Sequence, residues 1–306
     1  MKVLVTGSGG FVGRWLMAHL REAGDQAVGL PGPLDITDGS ALAKAVVALA
    51  PDAICHLAAQ ASVAASWGDR GRTFEVNALG ASNLLEAALG CDSPPRVLII
   101  SSAEVYGRVT PADLPLSEDR PLAPASPYAA SKAAAEMCAI AAWLGSGLEV
   151  VRARPFNHTG PGQRVDFVIP SLARQVALAA RRGLPYLEAG NLEARRDITD
   201  VRDVVRAYRA LLLRGVPGEV YNVCRGSSVA IREVAEGLLR LAGAEVPIKV
   251  VPERVRPVDI ADLVGDPTRL RNATGWEPEI DLGQTLHDVL ASFDQASFDQ
   301  ASVDQD

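Results

Sequence analysis

The sequence predicts an α/β protein: a doubly wound parallel sheet joined to a smaller C-terminal α/β lobe. Three observations lead there. β-Branched runs alternate with helix-patterned segments over the first half of the chain, a glycine triplet follows the first such run, and the rhythm loosens after Pro155. Strands that alternate with helices build a parallel sheet, because each return to the sheet needs a crossover long enough to hold a helix. In order, the elements are "KVLVTG", a helix from Phe11, "QAVGL", a helix from Gly39, "DAICHL", a helix from Arg70, "RVLIIS", a helix from Ser126 and "LEVVRA". Then come a long helix over 167–182, a short strand near 186–188, a helix from Asp200, the strand "EVYNVC" and a helix from Ala230. The strand "IKVV" and short helical segments near Pro267 and Gly283 complete the chain. Residues 1–155, with parts of the C-terminal half, are expected to form the larger domain, and 156–291 the smaller lobe, some of whose elements return to the first. Residues 292–306, "SFDQASFDQASVDQD", repeat every five residues without an apolar stripe long enough to pack, and read as a solvated tail.

Composition narrows the function classes. Of 306 residues, 48% are hydrophobic and 22% charged, enough for a substantial core. The net charge of −7 comes from interspersed acids, and no basic run offers a polyanion a footprint, so no nucleic-acid partner is expected. Cys55, Cys91, Cys138 and Cys224 lie far apart without metal-ligand spacing and read as reduced thiols; no metal site is expected. No apolar run approaches the ~20 residues that span a bilayer, and the chain opens directly in a strand. A cytoplasmic protein without a membrane partner is expected.

The stretch "VTGSGGFVG" sets Gly7, Gly10 and Gly13 three residues apart between the first strand and the first helix. Glycines there permit a tight turn and close backbone approach to a pyrophosphate, while free N–H groups and the helix dipole attract its charge. Gly7, Ser8, Gly9, Gly10, Phe11, Val12 and Gly13 are therefore the first cofactor candidates in a Rossmann-type arrangement. The acid that grips a ribose hydroxyl about 20 residues further on is missing from "VGLPGPL", so NAD and NADP are not distinguished. Asp35 with Ile36, and Leu57, Ala58 and Ala59 in "HLAAQAS", follow the next two strand ends, where such sheets bind ligands. Asp35 could instead cap the helix near Gly39.

In "SPYAASKAAAE", Ser126 reads as an N-cap and Pro127 as the first helical residue, which fixes the register and puts Tyr128 and Lys132 on one face. A nearby ammonium and a cationic nicotinamide are expected to bring the phenol pKa down and equip Tyr128 for acid–base work. "IISSAEVYG" ends the fourth strand. There Ser102 can bond the oxygen that Tyr128 protonates, Ser101 could instead cap the turn, and Glu104 is either a second acid–base group or a partner of the turn.

Together these residues resemble the extended short-chain dehydrogenase/reductase family, in its nucleotide-sugar branch, from Met1 to about Leu290. The resemblance implies that Ser102, Tyr128 and Lys132 form a catalytic triad, with Glu104 as an additional candidate, and that Asn77 in "FEVNALG" organises the site. It also implies that Ser101, Pro155 and Phe156 join the cofactor set with Asn77, Tyr128 and Lys132. "RPFNHTGPGQ" looks most like the GDP-4-dehydro-6-deoxy-D-mannose reductases, which make GDP-D-rhamnose, and next like the GDP-mannose 4,6-dehydratases. Carried over by position, Gln60, Ser102, Asn157, Arg174, Asn191, Leu192, Arg196, Arg256 and Asp259 are substrate candidates. Arg196 and Arg256 would pair with phosphate, which an arginine fork suits. The alternative is that Arg196 pairs with Asp197 or Asp200, and Arg256 with Asp259. His158 is expected to organise its loop. The implied activity is NAD(P)H-dependent reduction at C4 of a GDP-4-keto-6-deoxyhexose, with a homodimer formed through the helices near 70–89 and 126–143. Three alternatives stand beside it: a 4,6-dehydratase, a 4-epimerase, and a regulator that senses NAD(P) without turnover.

Overall fold

The computed structural model describes residues 1–254 and 260–293. Its strands are β1 (Lys2–Thr6), β2 (Gln26–Gly29), β3 (Ala53–His56), β4 (Arg96–Ile100), β5 (Val150–Pro155), β6 (Asn157–Thr159), β7 (Leu187–Ala189), β8 (Arg195–Asp200), β9 (Val220–Val223), β10 (Ser228–Ala230), β11 (Ile248–Val250) and β12 (Asp262–Leu263). Six of them form one parallel sheet in the order β2-β1-β3-β4-β5-β9. The central strands are buried along almost their whole length, which is why they read as continuous apolar runs rather than alternating ones.

Helices cover both faces. On one lie α1 (Phe11–Glu22) and α8 (Val201–Arg214), whose Leu16, Leu20, Val204 and Leu211 pack with Val3, Val5 and Leu98 of the sheet. On the other lie α2 (Gly39–Leu49), α5 (Gly80–Leu89) and α6 (Pro127–Ser146), which bury Leu42, Leu84 and Ala135 against Leu4, Ile54 and Val97. Between β3 and α5 run the short helices α3 (Val63–Gly68) and α4 (Arg70–Phe74). The helix expected from Arg70 is thus interrupted: a π-helical turn over Glu75–Leu79 joins α4 to α5 and carries Asn77. A third core joins α7 (Val168–Arg182), α9 (Ile231–Ala242) and α11 (Leu282–Ala291) around β7 and β8, while α10 (Thr268–Thr274) sends Leu270 back to the first core.

Two strands of the C-terminal half have physical causes. The apolar run "EVYNVC", met after the rhythm loosens, supplies β9, the sixth strand of the main sheet, because its buried residues continue that sheet beyond β5. Strand β8 was not anticipated, since "RRDITD" looks polar. It pairs with β6, β10 and β12, and the carboxylate of Asp197 is consumed by backbone N–H groups of Arg225 and Gly226 at 2.8 and 2.9 Å. Among the described residues no helix is long and apolar enough to cross a membrane.

Candidate active site

Parallel register brings the C-terminal ends of β1, β3, β4 and β5 to one edge, where ligand crevices of such sheets open. At that edge Gly7 takes φ +68°, and a Cβ there would lie 2.9 Å from the Ala58 nitrogen. A Cβ on Gly13 would lie 2.2 Å from the Gly7 carbonyl oxygen, so helix and loop close only over glycine. Gly9 has open space beside it, and the N-cap of α1, Gly10, has no side-chain cap. An approachable loop leading into an uncapped helix N-terminus fits a pyrophosphate. Of the other cofactor candidates, Ser8, Phe11, Val12, Leu57, Ala58 and Ala59 line this edge half-buried, whereas the side chains of Ile36 and Phe156 are spent in apolar cores.

Asp35 is not the cap of α2; Asp38 is, accepting the Ala41 N–H at 2.9 Å. Asp35 accepts from the backbone and hydroxyl of Thr37 and pairs with Arg72 at 2.8 Å. The Thr37 backbone bond, reinforced by Arg72, holds its carboxyl down to about 2.

The acid–base wall is tightly bound. Ser126 caps α6 through Ala129 N–H at 3.1 Å, with Pro127 in the first turn, as the sequence dictates. Ser66 of α3 accepts the Tyr128 N–H at 3.2 Å, while the Tyr128 carbonyl accepts the Ser131 hydroxyl at 2.7 Å. Asn77 gives one amide hydrogen to Ser131 at 2.9 Å and another to the Gln60 carbonyl, and accepts the Gln60 N–H at 2.8 Å. The π-turn therefore aims an Asn at both the β3 loop and α6, a common use of such bulges. Lys132, 6% exposed, donates from Nζ to the Ile100 carbonyl at 2.8 Å. Burial brings its ammonium down to about 8.

Burial pushes the Tyr128 phenol up to about 12, with a hydrogen bond from Ser102 pulling back and the charge of Glu104 pushing further; the lowering expected from a cationic nicotinamide would act against that rise. The phenol in the protein alone is a firmly protonated acid. Ser102 lies two residues past the end of β4 and accepts the Glu104 N–H at 3.2 Å, which opens the short 3-10 turn of residues 103–106. Ser101 is 2% exposed and gives its hydroxyl to Glu136 at 2.6 Å. Beneath the site, His56 accepts the Thr6 hydroxyl or donates to it through Nδ1 at 2.8 Å; burial, then the Lys132 charge, lowers it to about 3.

Across the crevice stand the remaining polar candidates. Asn157 is exposed on β6, and Arg174 is exposed on α7. His158 holds the Phe156 carbonyl at 3.0 Å through Nδ1, Gln163 returns to the His158 carbonyl at 3.2 Å, and Trp15 of α1 binds the Pro161 carbonyl at 3.1 Å. Asn191 accepts the Glu193 N–H at 3.0 Å, and the Leu192 side chain is buried in the core of the C-terminal elements. Arg196 Nη1 donates to the carbonyls of Arg195 and Ile260 at 2.7 and 2.6 Å. Arg256 and Asp259 lie outside the described residues.

The family model described as GDP-mannose 4,6 dehydratase matches residues 33–289. The chain belongs to the GDP-mannose 4,6-dehydratase family. Within the wider extended short-chain dehydrogenases/reductases, this family member is 41% identical over 297 residues to the GDP-6-deoxy-D-mannose reductase of Pseudomonas aeruginosa, covering 96% of this chain and 97% of the relative. It is 30% identical to a GDP-mannose 4,6 dehydratase of Caenorhabditis elegans over 84% of this chain and 72% of the relative. Among solved structures, RMD from Pseudomonas aeruginosa complexed with NADPH superimposes with TM-score 0.90 at 39% identity, covering 96% of this chain and 99% of that one. The Thermus thermophilus UDP-glucose 4-epimerase complex with NAD gives TM-score 0.87 at 31% identity, covering 97% and 100%.

Sequence reasoning missed several residues of this dehydratase-family site. Ser66, Ser131 and Glu136 all act on the helix bearing Tyr128, yet only Glu136 had a signal: a charged residue four positions after Lys132 on an otherwise alanine-rich face.

Proposed function

We propose that this chain reduces the C4 keto group of GDP-4-dehydro-6-deoxy-D-mannose to give GDP-D-rhamnose, using NADPH or NADH. The observation that carries the reading is Tyr128, half-buried with its phenol desolvated and hydrogen-bonded to Ser102, one turn from Lys132. The near full-length likeness to a reductase of that substrate agrees with it.

The reduced nicotinamide supplies the hydride when bound. The glycine loop and the start of α1 would hold the pyrophosphate of that cofactor, Asp35 and the residues 57–59 its adenosine half, and Lys132 its nicotinamide ribose. Ser102 orients the C4 carbonyl oxygen by a hydrogen bond, and Tyr128 Oη donates its proton to that oxygen as negative charge develops there. Lys132 lies close by to stabilise the phenolate that remains. Asn157 of β6 and Arg174 of α7, both exposed, are assigned to the sugar diphosphate, with Asn191 and Arg196 toward the nucleotide. The acceptor Gln60 Oε1, buried and without a hydrogen-bond partner among the described residues, suits a ligand hydroxyl. We assign cofactor binding to the main sheet, substrate selection to the C-terminal elements, and the reaction to the cytoplasm.

A homodimer through α4, α5 and α6 completes the proposal. Phe74 of α4, Leu79 of the π-turn that leads into α5 and Met137 of α6 are 41, 48 and 48% exposed, apolar surface that a second copy would cover. A monomer by light scattering at micromolar concentration contradicts it.

One observation favours a second reading. Glu104 lies close enough to Tyr128 to raise its pKa, and an added acid–base group is what 4,6-dehydration requires. Incubation with GDP-4-dehydro-6-deoxy-D-mannose and each reduced cofactor separates the two. The proposal expects one equivalent of NAD(P)H oxidised per GDP-D-rhamnose formed; conversion of GDP-mannose to the keto sugar without net cofactor consumption makes the enzyme a dehydratase.

A further inference from the structure

Glu136 lies four residues after Lys132 and eight after Tyr128, on the same face of α6, and is wholly buried. A carboxylate in that position is costly unless every lone pair is used. Its Oε1 accepts the Ser101 hydroxyl at 2.6 Å and Arg154 Nε at 2.8 Å; its Oε2 accepts Arg154 Nη2 at 2.8 Å and Arg152 Nη1 at 3.4 Å. Arg154 then reaches beyond the pair. Through Nη1 it donates to the Tyr106 hydroxyl at 3.0 Å and to the Glu118 carbonyl at 3.2 Å, and Tyr106 passes its own hydrogen to Asn222 Oδ1 at 2.7 Å.

These contacts bracket the reactive turn. Ser101 and Tyr106 flank the segment that carries Ser102 and Glu104, and both are tied to one ion pair rooted on the helix that carries Tyr128 and Lys132. The turn leaves at Gly107, φ +67°, where a Cβ would strike the Ala123 carbonyl oxygen at 1.7 Å, so that end is fixed as well.

We propose that the Glu136–Arg154 pair is a positioning device that sets the Ser102 hydroxyl against the Tyr128 phenol by strapping the 101–106 turn to α6 at both ends. The inference rests on the reduction proposed above and adds Glu136 and Arg154, which touch neither substrate nor cofactor, while the Ser101 hydroxyl, placed in the cofactor set by resemblance, is given to Glu136. Misplacement by about 1 Å can cost on the order of 100-fold in rate, so a partial loosening is expected to show in kcat.

Ser101→Ala cuts one strap while leaving the buried ion pair intact. In the full-length enzyme with GDP-4-dehydro-6-deoxy-D-mannose and NADPH, it should lower kcat by about 10-fold, with the sugar KM and the NADPH dissociation constant within about 2-fold. The primary isotope effect with deuterated NADPH should rise as hydride transfer becomes slower, and Ser101→Thr, which keeps the hydroxyl, should recover most of the rate. Arg154→Lys loosens the Tyr106 end and should give the same split by an independent route. An unchanged kcat in both variants, or kcat falling only in proportion to lost folded protein with the isotope effect unmoved, overturns the proposal. Wild-type enzyme that oxidises no NADPH with this sugar would instead contradict the assigned reaction, so the two failures are distinct.

Discussion

The two walls of the crevice are built on opposite principles. Along the β4–α6 wall every reactive residue is tied from behind: Tyr128 by its N–H and its carbonyl, Lys132 to Ile100, and Ser102 through its neighbour Ser101. Along the wall made by β6, β8 and α7, Asn157 and Arg174 stand exposed, and order resides in the loop beneath them, closed by His158, Gln163 and Trp15. Fixed groups cost no reorganisation when charge develops, whereas groups that meet a ligand can be exchanged without disturbing the core. The difference assigns chemistry to the first wall and selection to the second, and it can be broken from either side.

The largest effect is expected at Tyr128. Tyr128→Phe should lower kcat by roughly 10² to 10⁴-fold while NAD(P)H affinity, measured by fluorescence titration, stays nearly unchanged; full activity would remove the proton donor from the account.

A smaller effect comes from the Lys132 ammonium. Because burial brings it to about 8, the rate should decline as pH rises through that value, and Lys132→Arg, charged throughout, should abolish that limb of the kcat profile even where it lowers the rate. The same shift fixes a stability trend. Between about pH 8 and 10.5 the unfolded chain holds the lysine proton that the folded chain has lost, so this residue makes stability increase with pH across that window. Urea titrations at the two ends, for wild type and Lys132→Met, test the sign.

On the selecting wall, Asn157→Ala should raise the KM for the GDP-sugar about 10-fold with kcat little changed, the pattern of a contact equal in ground and transition states. The smallest effect is expected at the outer rim, where Asp35→Ala should weaken cofactor affinity by about 5-fold, the loss of one or two exposed hydrogen bonds, and leave kcat intact.

The same contrast explains what could be read from the chain beforehand. The glycine loop, the Ser126 cap and the Tyr128–Lys132 spacing are local, so a few adjacent residues state them in full. The parallel sheet was equally open, because buried strands must be apolar throughout. Glu136 and Arg154 are separated by 17 intervening positions and meet only after α6 packs on β4 and β5, so neither residue's neighbours reveal the pair. Strand β8 was hidden by Arg195, Arg196 and Asp197, whose charges are satisfied by groups distant in sequence. The desolvation of the Tyr128 phenol is hidden for the same reason. Helical spacing shows that a lysine is near, but how far the phenol is desolvated depends on everything packed around it.

The most direct test of this division is a double-mutant cycle in kcat and KM with Tyr128→Phe, Asn157→Ala and the double variant. The account predicts that the tyrosine change acts on kcat, the asparagine change on KM, and that the two effects multiply in the double variant. A large kcat loss from Asn157→Ala that is no longer additive once Tyr128 is removed would contradict it, because chemistry and selection would then share one set of residues.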